Sequence, residues 1–156
     1  MRDKETVIGV VSDTHGLFRP ELRDLLKDSD LIIHAGDVGS TDILQQLELI
    51  APVRAVRGNT DRSPSLYFLP ETEMVQIDDY LIYVLHDLSL LDIEPSAASV
   101  RVVVFGHSHK AYIGQKNGVL YFNPGSAGPK RFRTTPGCGI LRISNGEAHP
   151  VLYSLE

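Results

Sequence analysis

The sequence predicts an α/β fold in which two β-sheets pack face to face with helices on the outside. Two patterns carry that expectation. Over residues 7–57, short apolar β-branched runs alternate with amphipathic segments, the β-α-β-α-β order that gives a parallel sheet with right-handed crossovers. From residue 74 onward, strand-like runs come in pairs separated by short polar turns, two of them Asn-Gly, which is a hairpin signature. The simplest arrangement is a mixed sheet followed by an antiparallel one.

Taken in order, VIGVV at residues 7–11 is a buried strand that ends abruptly in Ser12-Asp13-Thr14-His15-Gly16. Residues 20–27 carry leucines at 22, 25 and 26 behind a proline suited to a first helical turn. Residues 30–35 form a second strand. Residues 40–50 open with Ser, Thr and Asp as caps and place Ile43, Leu44, Leu47 and Ile50 on one helical face. A third strand at 52–57 runs into Gly58-Asn59-Thr60-Asp61, and 61–72 is the longest loop. Residues 74–77 and 80–85 form a hairpin ending at His86, and 89–99 hold at most a helical turn from Pro95. The strongly apolar strand 100–105 opens onto Gly106-His107-Ser108-His109. Two hairpins follow, 111–115 with 119–122 and 139–143 with 149–155.

At 156 residues, 17.2 kDa and 42% hydrophobic residues, the chain suits one domain over residues 1–156. A formal charge of −5 and a pI near 5.6 argue against general nucleic-acid binding. Cys138 has no partner for an internal disulfide. The start MRDKETV lacks a leader, and no apolar run is long enough to cross a bilayer, so a soluble cytoplasmic protein is expected. Edge strands of the late hairpins offer a route to a homo-oligomer.

Five polar signatures each follow a strand: Asp13-Thr14-His15, Gly36-Asp37, Gly58-Asn59, His86 and Gly106-His107-Ser108-His109. Each alone has a structural reading, as a turn, a left-handed asparagine or a buried histidine. Together they sit roughly one strand and its return connection apart, a spacing that delivers all of them to one edge of the fold. Two Asp, one Asn and four His meeting at strand ends make a nitrogen and oxygen donor set of a size that suits two borderline divalent ions.

These signatures resemble those of the calcineurin-like metallophosphoesterase superfamily, in particular its small single-domain prokaryotic phosphodiesterases, over residues 13–126. The resemblance implies a four-layer α/β/β/α sandwich of two mixed sheets. It implies two divalent ions, manganese foremost with iron, zinc, nickel or cobalt as alternatives. Asp13, His15 and His109 would hold the first ion, Asp37 would bridge, and Asn59, His86 and His107 would complete the second. Two such ions lower the pKa of a shared water, giving a bridging hydroxide for in-line attack on a small phosphoester. Asp37 and Asn59 are thus the catalytic candidates, with Asn59 also offering an N–H to the phosphate.

Many superfamily phosphatases carry His directly after Gly-Asn; here it is Thr60. Without that acid, poor alkoxide leaving groups should be slow, which favours diesters or activated aryl esters over monoesters. Asp61 then reads as structural. Asp87 stands where Gly usually follows His86. Asn123-Pro124-Gly125-Ser126 reads as a buttress for the 106–109 loop, and Arg131 and Arg133, around Phe132, as a clamp for the ester. His34 and His149 are given no metal role. Against an aspartyl-phosphate phosphatase stands His15 where a second Asp is needed, and Lys110 breaks the run of a metallo-β-lactamase. Two alternatives remain, a phosphomonoesterase and a metal-poor protein-binding scaffold like the retromer subunit of the same fold.

Overall fold

A computed structural model describes residues 4–131 and 133–156; Phe132 lies outside the described residues. The elements, in order, are β1 (Thr6–Val11), α1 (Glu21–Leu26), β2 (Leu31–His34), α2 (Thr41–Glu48), β3 (Val53–Ala55), α3 (Pro64–Tyr67), β4 (Thr72–Ile77), β5 (Tyr80–Leu85), a 3₁₀ turn (Leu88–Leu90), β6 (Val100–Val104), β7 (Tyr112–Lys116), β8 (Val119–Asn123), β9 (Gly137–Ser144) and β10 (Glu147–Ser154). Among them no helix is long and apolar enough to cross a membrane.

Two mixed five-stranded sheets result, ordered β10-β9-β1-β2-β3 and β4-β5-β6-β8-β7. Their facing sides share one core, in which Ile8, Val10 and Ile33 meet Ile82, Val84, Val102, Val104 and Phe122. The alternation expected of strands sends Val11 and Ile32 to the other side, where Leu22 and Leu26 of α1 and Ile43 and Leu47 of α2 cover the first sheet. Ser40 caps α2 by accepting from the Asp42 N–H at 3.1 Å. The outer face of the second sheet is covered more thinly, by Leu88, Leu91 and Ile93 over Tyr83, Leu85, Val103 and Phe105.

The second sheet is mixed rather than antiparallel, because β8 runs parallel to β6 and lies between it and β7. Burial explains the order. In β8 Val119, Leu120, Phe122 and Asn123 are buried, whereas β7 is largely exposed and takes the edge. The last hairpin leaves this sheet altogether and joins the first, β9 pairing antiparallel with β1. Apolar β9 takes the interior, and β10, carrying Pro150, takes the edge where a missing N–H costs nothing. The loop 61–72 contains the four-residue α3, begun by Pro64.

β1, β2 and β3 are mutually parallel, as are β5 and β6, and each ends in one of the five polar signatures. Face-to-face packing brings those ends together.

Candidate metal centre

Asp13, His15, Asp37, His107 and His109 all have positive φ, between 47° and 72°. Left-handed backbone is uncommon outside glycine, with Asp and His among the more tolerant types, and it persists only where surrounding contacts fix it. Here they do. The β1–β2 ladder continues into the loops through Asp13 N–H to Gly36 O (2.9 Å) and His15 N–H to Asp37 O (3.0 Å). Asp61, fully buried, accepts from Val38, Gly39 and Gly58 N–H at 3.1, 3.1 and 2.9 Å, and so ties the loop after β2 to the one after β3. Its structural reading holds. Asn123 donates from Nδ2 to Gly106 O and Ser108 Oγ, the expected buttress, and Ser126 Oγ donates to Asp13 O. Gly58 and Gly106 leave no room for a side chain, since a Cβ there would overlap Asp37 and Ser12 respectively.

All seven candidate side chains converge. Asp13 Oδ1 lies 3.4 Å from His109 Nε2, 3.9 Å from His15 Nε2 and 3.8 Å from His86 Nε2. Asp37 Oδ2 lies 3.7 Å from His15 Nε2 and 3.2 Å from His86 Nε2. Asn59 Oδ1 is 3.1 Å from His86 Nε2 and 3.2 Å from His107 Nδ1. Two triads each have donor atoms within 4.8 Å of one another: Asp13, His15 and His109, and Asp13, Asp37 and His86. Asp37 reaches toward both groups of histidines, and so does Asp13.

The donor chemistry fits cations. Asp13 Oδ1 is buried and, among the described residues, accepts no hydrogen bond, while Oδ2 is already satisfied by Ser12 Oγ at 2.6 Å and His107 N–H at 3.1 Å. His15 and His109 aim their Nε2 atoms at each other across 3.4 Å. The tautomer of His86 is set by its Nδ1–H donating to Ala35 O at 2.7 Å, which leaves the Nε2 lone pair facing the carboxylates. Burial alone would push Asp37 up, but a hydrogen bond from His86 when that ring is doubly protonated, together with hydrogen bonds from Thr60, outweighs it and holds the carboxyl well below the usual range. Burial would lower His86, and Asp37 with Asp13 reverses that and raises it. Burial lowers His109, against the pull of Asp13 and with the help of Arg131 and His15.

A cavity of about 450 Å³ opens at the centre, lined by His15, Asp37, Asn59, His107, His109 and Arg131. Arg133 is exposed and is not among its lining residues, and Lys130 is committed to Glu156 at 2.7 Å. Two supporting residues were not assigned from the sequence. His34 is fully buried, accepts from Gly36 N–H at Nδ1 and therefore donates from Nε2 to Thr14 Oγ1 at 2.9 Å, holding the loop that carries Asp13 and His15. Asp87 lies 3.7 Å from His107 Nε2 and accepts from Ser89 N–H and Oγ. Its place directly after His86 was the only signal.

Comparison with known proteins agrees with this geometry. A probable metallophosphoesterase of Methanothermobacter thermautotrophicus is 36% identical over 152 residues, covering 88% of this chain and 86% of that protein. A phosphodiesterase of Methanocaldococcus jannaschii is 29% identical over 137 residues, covering 76% and 82%. Among solved structures, a predicted phosphoesterase from Streptococcus pneumoniae superposes with a TM-score of 0.77 at 21% identity, covering 97% and 91%. Vacuolar protein sorting 29 from Cryptosporidium parvum superposes with 0.76 at 20%, covering 96% and 98%. The sequence model of the calcineurin-like phosphoesterase superfamily domain matches residues 7–146, and the chain belongs to that superfamily.

Proposed function

We propose that this protein is a dimetal phosphodiesterase acting on a small phosphoester. The observation that carries the reading is the single cluster of seven side chains, every one within 4 Å of another, in which a buried carboxylate oxygen has no hydrogen-bond donor among the described residues. Asp13, His15 and His109 would hold one ion, Asn59, His86 and His107 the other, and Asp37 would lie between them. Bound there, two divalent cations supply an activated water at neutral pH and neutralise charge on phosphoryl oxygens. The chain's own groups orient the ester. Asn59 presents a carbonyl toward His86 and His107, leaving its amide N–H groups for a phosphoryl oxygen. Arg131 lines the same cavity and offers a bidentate grip on phosphate.

Diesters are favoured over monoesters because Thr60 provides no cationic acid for an alkoxide; its backbone N–H is committed to Asp37 Oδ1 at 3.0 Å. Manganese is the metal to test first.

The test is metal analysis together with hydrolysis of bis(p-nitrophenyl) phosphate. We expect close to two divalent ions per chain and activity that chelation abolishes. Asp37→Asn should lose at least about a hundredfold in kcat/KM, because both ions lose a shared charged ligand. Fewer than one ion per chain with no hydrolysis would instead assign the protein to the non-hydrolytic scaffolds of this fold.

A further inference from the structure

A second cavity, of about 480 Å³, borders the metal centre and shares Asn59 and His86 with it. That volume suits a small organic ligand. Its walls come from the two segments that the sequence left undefined, α3 in the loop 61–72 and the 3₁₀ turn after His86. On one wall stands Tyr67, whose ring is stacked under the Arg57 guanidinium at 4.1 Å. Arg57 is itself fixed, donating to Tyr67 O at 2.8 Å and pairing with Glu71 at 2.7 Å. With Arg57 over its ring, Tyr67 is still 59% exposed and lines this cavity. Leu90, 72% exposed, belongs to the same cavity. Asp87 puts it there, since its carboxylate caps the turn through Ser89 and its carbonyl accepts from Leu90 N–H at 3.0 Å.

The charges around this cavity discourage a further anionic group. Arg57 is committed to Glu71, Arg62 donates to Asn59 O at 3.2 Å, and Asp87 and Asp92 lie on the same rim. What remains is an exposed aromatic side chain and an exposed leucine beside a phosphate-sized polar site. Aromatic faces of this kind stack planar rings with little regard to their substituents.

We propose that this cavity receives the ring of the substrate's organic group, a planar uncharged aryl or nucleobase stacked on Tyr67 and packed against Leu90, while the phosphoryl group occupies the metal centre. The proposal rests on the phosphoester reading above and names its substrate class. It also accounts for Asp87, which builds the wall that carries Leu90.

Calorimetric titration of the manganese-loaded protein tests it, with methyl phosphate, phenyl phosphate and adenosine 5′-monophosphate as ligands. At least one ring-bearing ligand should bind about tenfold more tightly than methyl phosphate. A gain with phenyl phosphate alone identifies an aryl ester, and a gain with the nucleotide identifies a nucleoside ester. Tyr67→Ala should reduce the advantage to less than twofold, Leu90→Ala should reduce it in part, and Tyr67→Phe should retain it. Both residues are exposed, so the variants fold. Equal binding of all three ligands, binding of none, or an advantage that survives Tyr67→Ala overturns the proposal. A protein that prefers ring-bearing esters yet hydrolyses no diester refutes the hydrolase reading and leaves the cavity's assignment standing.

Discussion

His34 shows how much of the centre depends on a residue that never reaches it. The imidazole is fully buried, and both its nitrogens are used, one accepting from Gly36 and one donating to Thr14. Burial, reinforced by nearby His86, holds its pKa down at about 3, so the folded protein keeps it neutral. In the unfolded chain it titrates near 6.5. Because the unfolded state binds the extra proton between those values, this contribution to stability is complete above pH 6.5 and is lost as pH falls toward 3. Between pH 6.5 and 4.5 the loss should be about 2–3 kcal/mol. Urea titrations with chelator present, comparing the protein with His34→Gln, measure it; equal pH slopes in the two would contradict it. From sequence alone His34 receives no metal role, and its support of Thr14 is not legible there, because a hydrogen bond across 20 residues leaves no periodic trace. The seven clustered side chains were legible because each directly follows an apolar strand. The left-handed backbone at five of them was not, since sequence marks such conformations reliably only through glycine or Asn-Gly.

Among the elements, the loops after β3 and β6 are the most tightly fitted. Gly106 lies against Ser12 and the Asp13 carboxylate, with its N–H donating to His86 O at 3.0 Å, so this one position joins three of the signatures. Gly106→Ala should displace Ser12, remove its hydrogen bond to Asp13, and cost about 1–3 kcal/mol by overpacking. It should also weaken metal binding about tenfold or more, as loss of outer-shell support does. Thermal unfolding and a metal-binding isotherm read the two effects separately; unchanged affinity with lowered stability would show that the loop tolerates the shift. Element types were largely legible, helix and strand periods being clear. Strand order was not. A two-residue Asn-Gly turn fixes that β7 pairs with β8, and β9 with β10, but not which member faces the neighbouring strand. Burial and Pro150 decide that, and both require weighing one strand of a hairpin against the other.

For the molecule as a whole, the division of the donors matters most. Asp13, His15, Asp37 and Asn59 follow strands of the first sheet, whereas His86, His107 and His109 follow strands of the second. Ions held by both sets would cross-link the two sheets at the edge where the shared core ends. Manganese at a hundred times its dissociation constants should then stabilise the fold by about 2.7 kcal/mol per ion and, with both ions bound, raise Tm by about 10–20 °C. Excess chelator should reverse the shift, and Asp37→Asn should show less than half of it. A Tm indifferent to metal would contradict the cross-link.

The position of β1 has a further consequence. It is flanked by β2 on one side and β9 on the other, with Thr6 opposite Ile143. During synthesis on the ribosome, one edge of β1 therefore stays unpaired until β9 has emerged, exposing backbone donors and acceptors to other nascent chains. Completion of the native sheet must wait for that last hairpin, and slow, chaperone-sensitive maturation is the expected behaviour of a topology closed by so distant a contact.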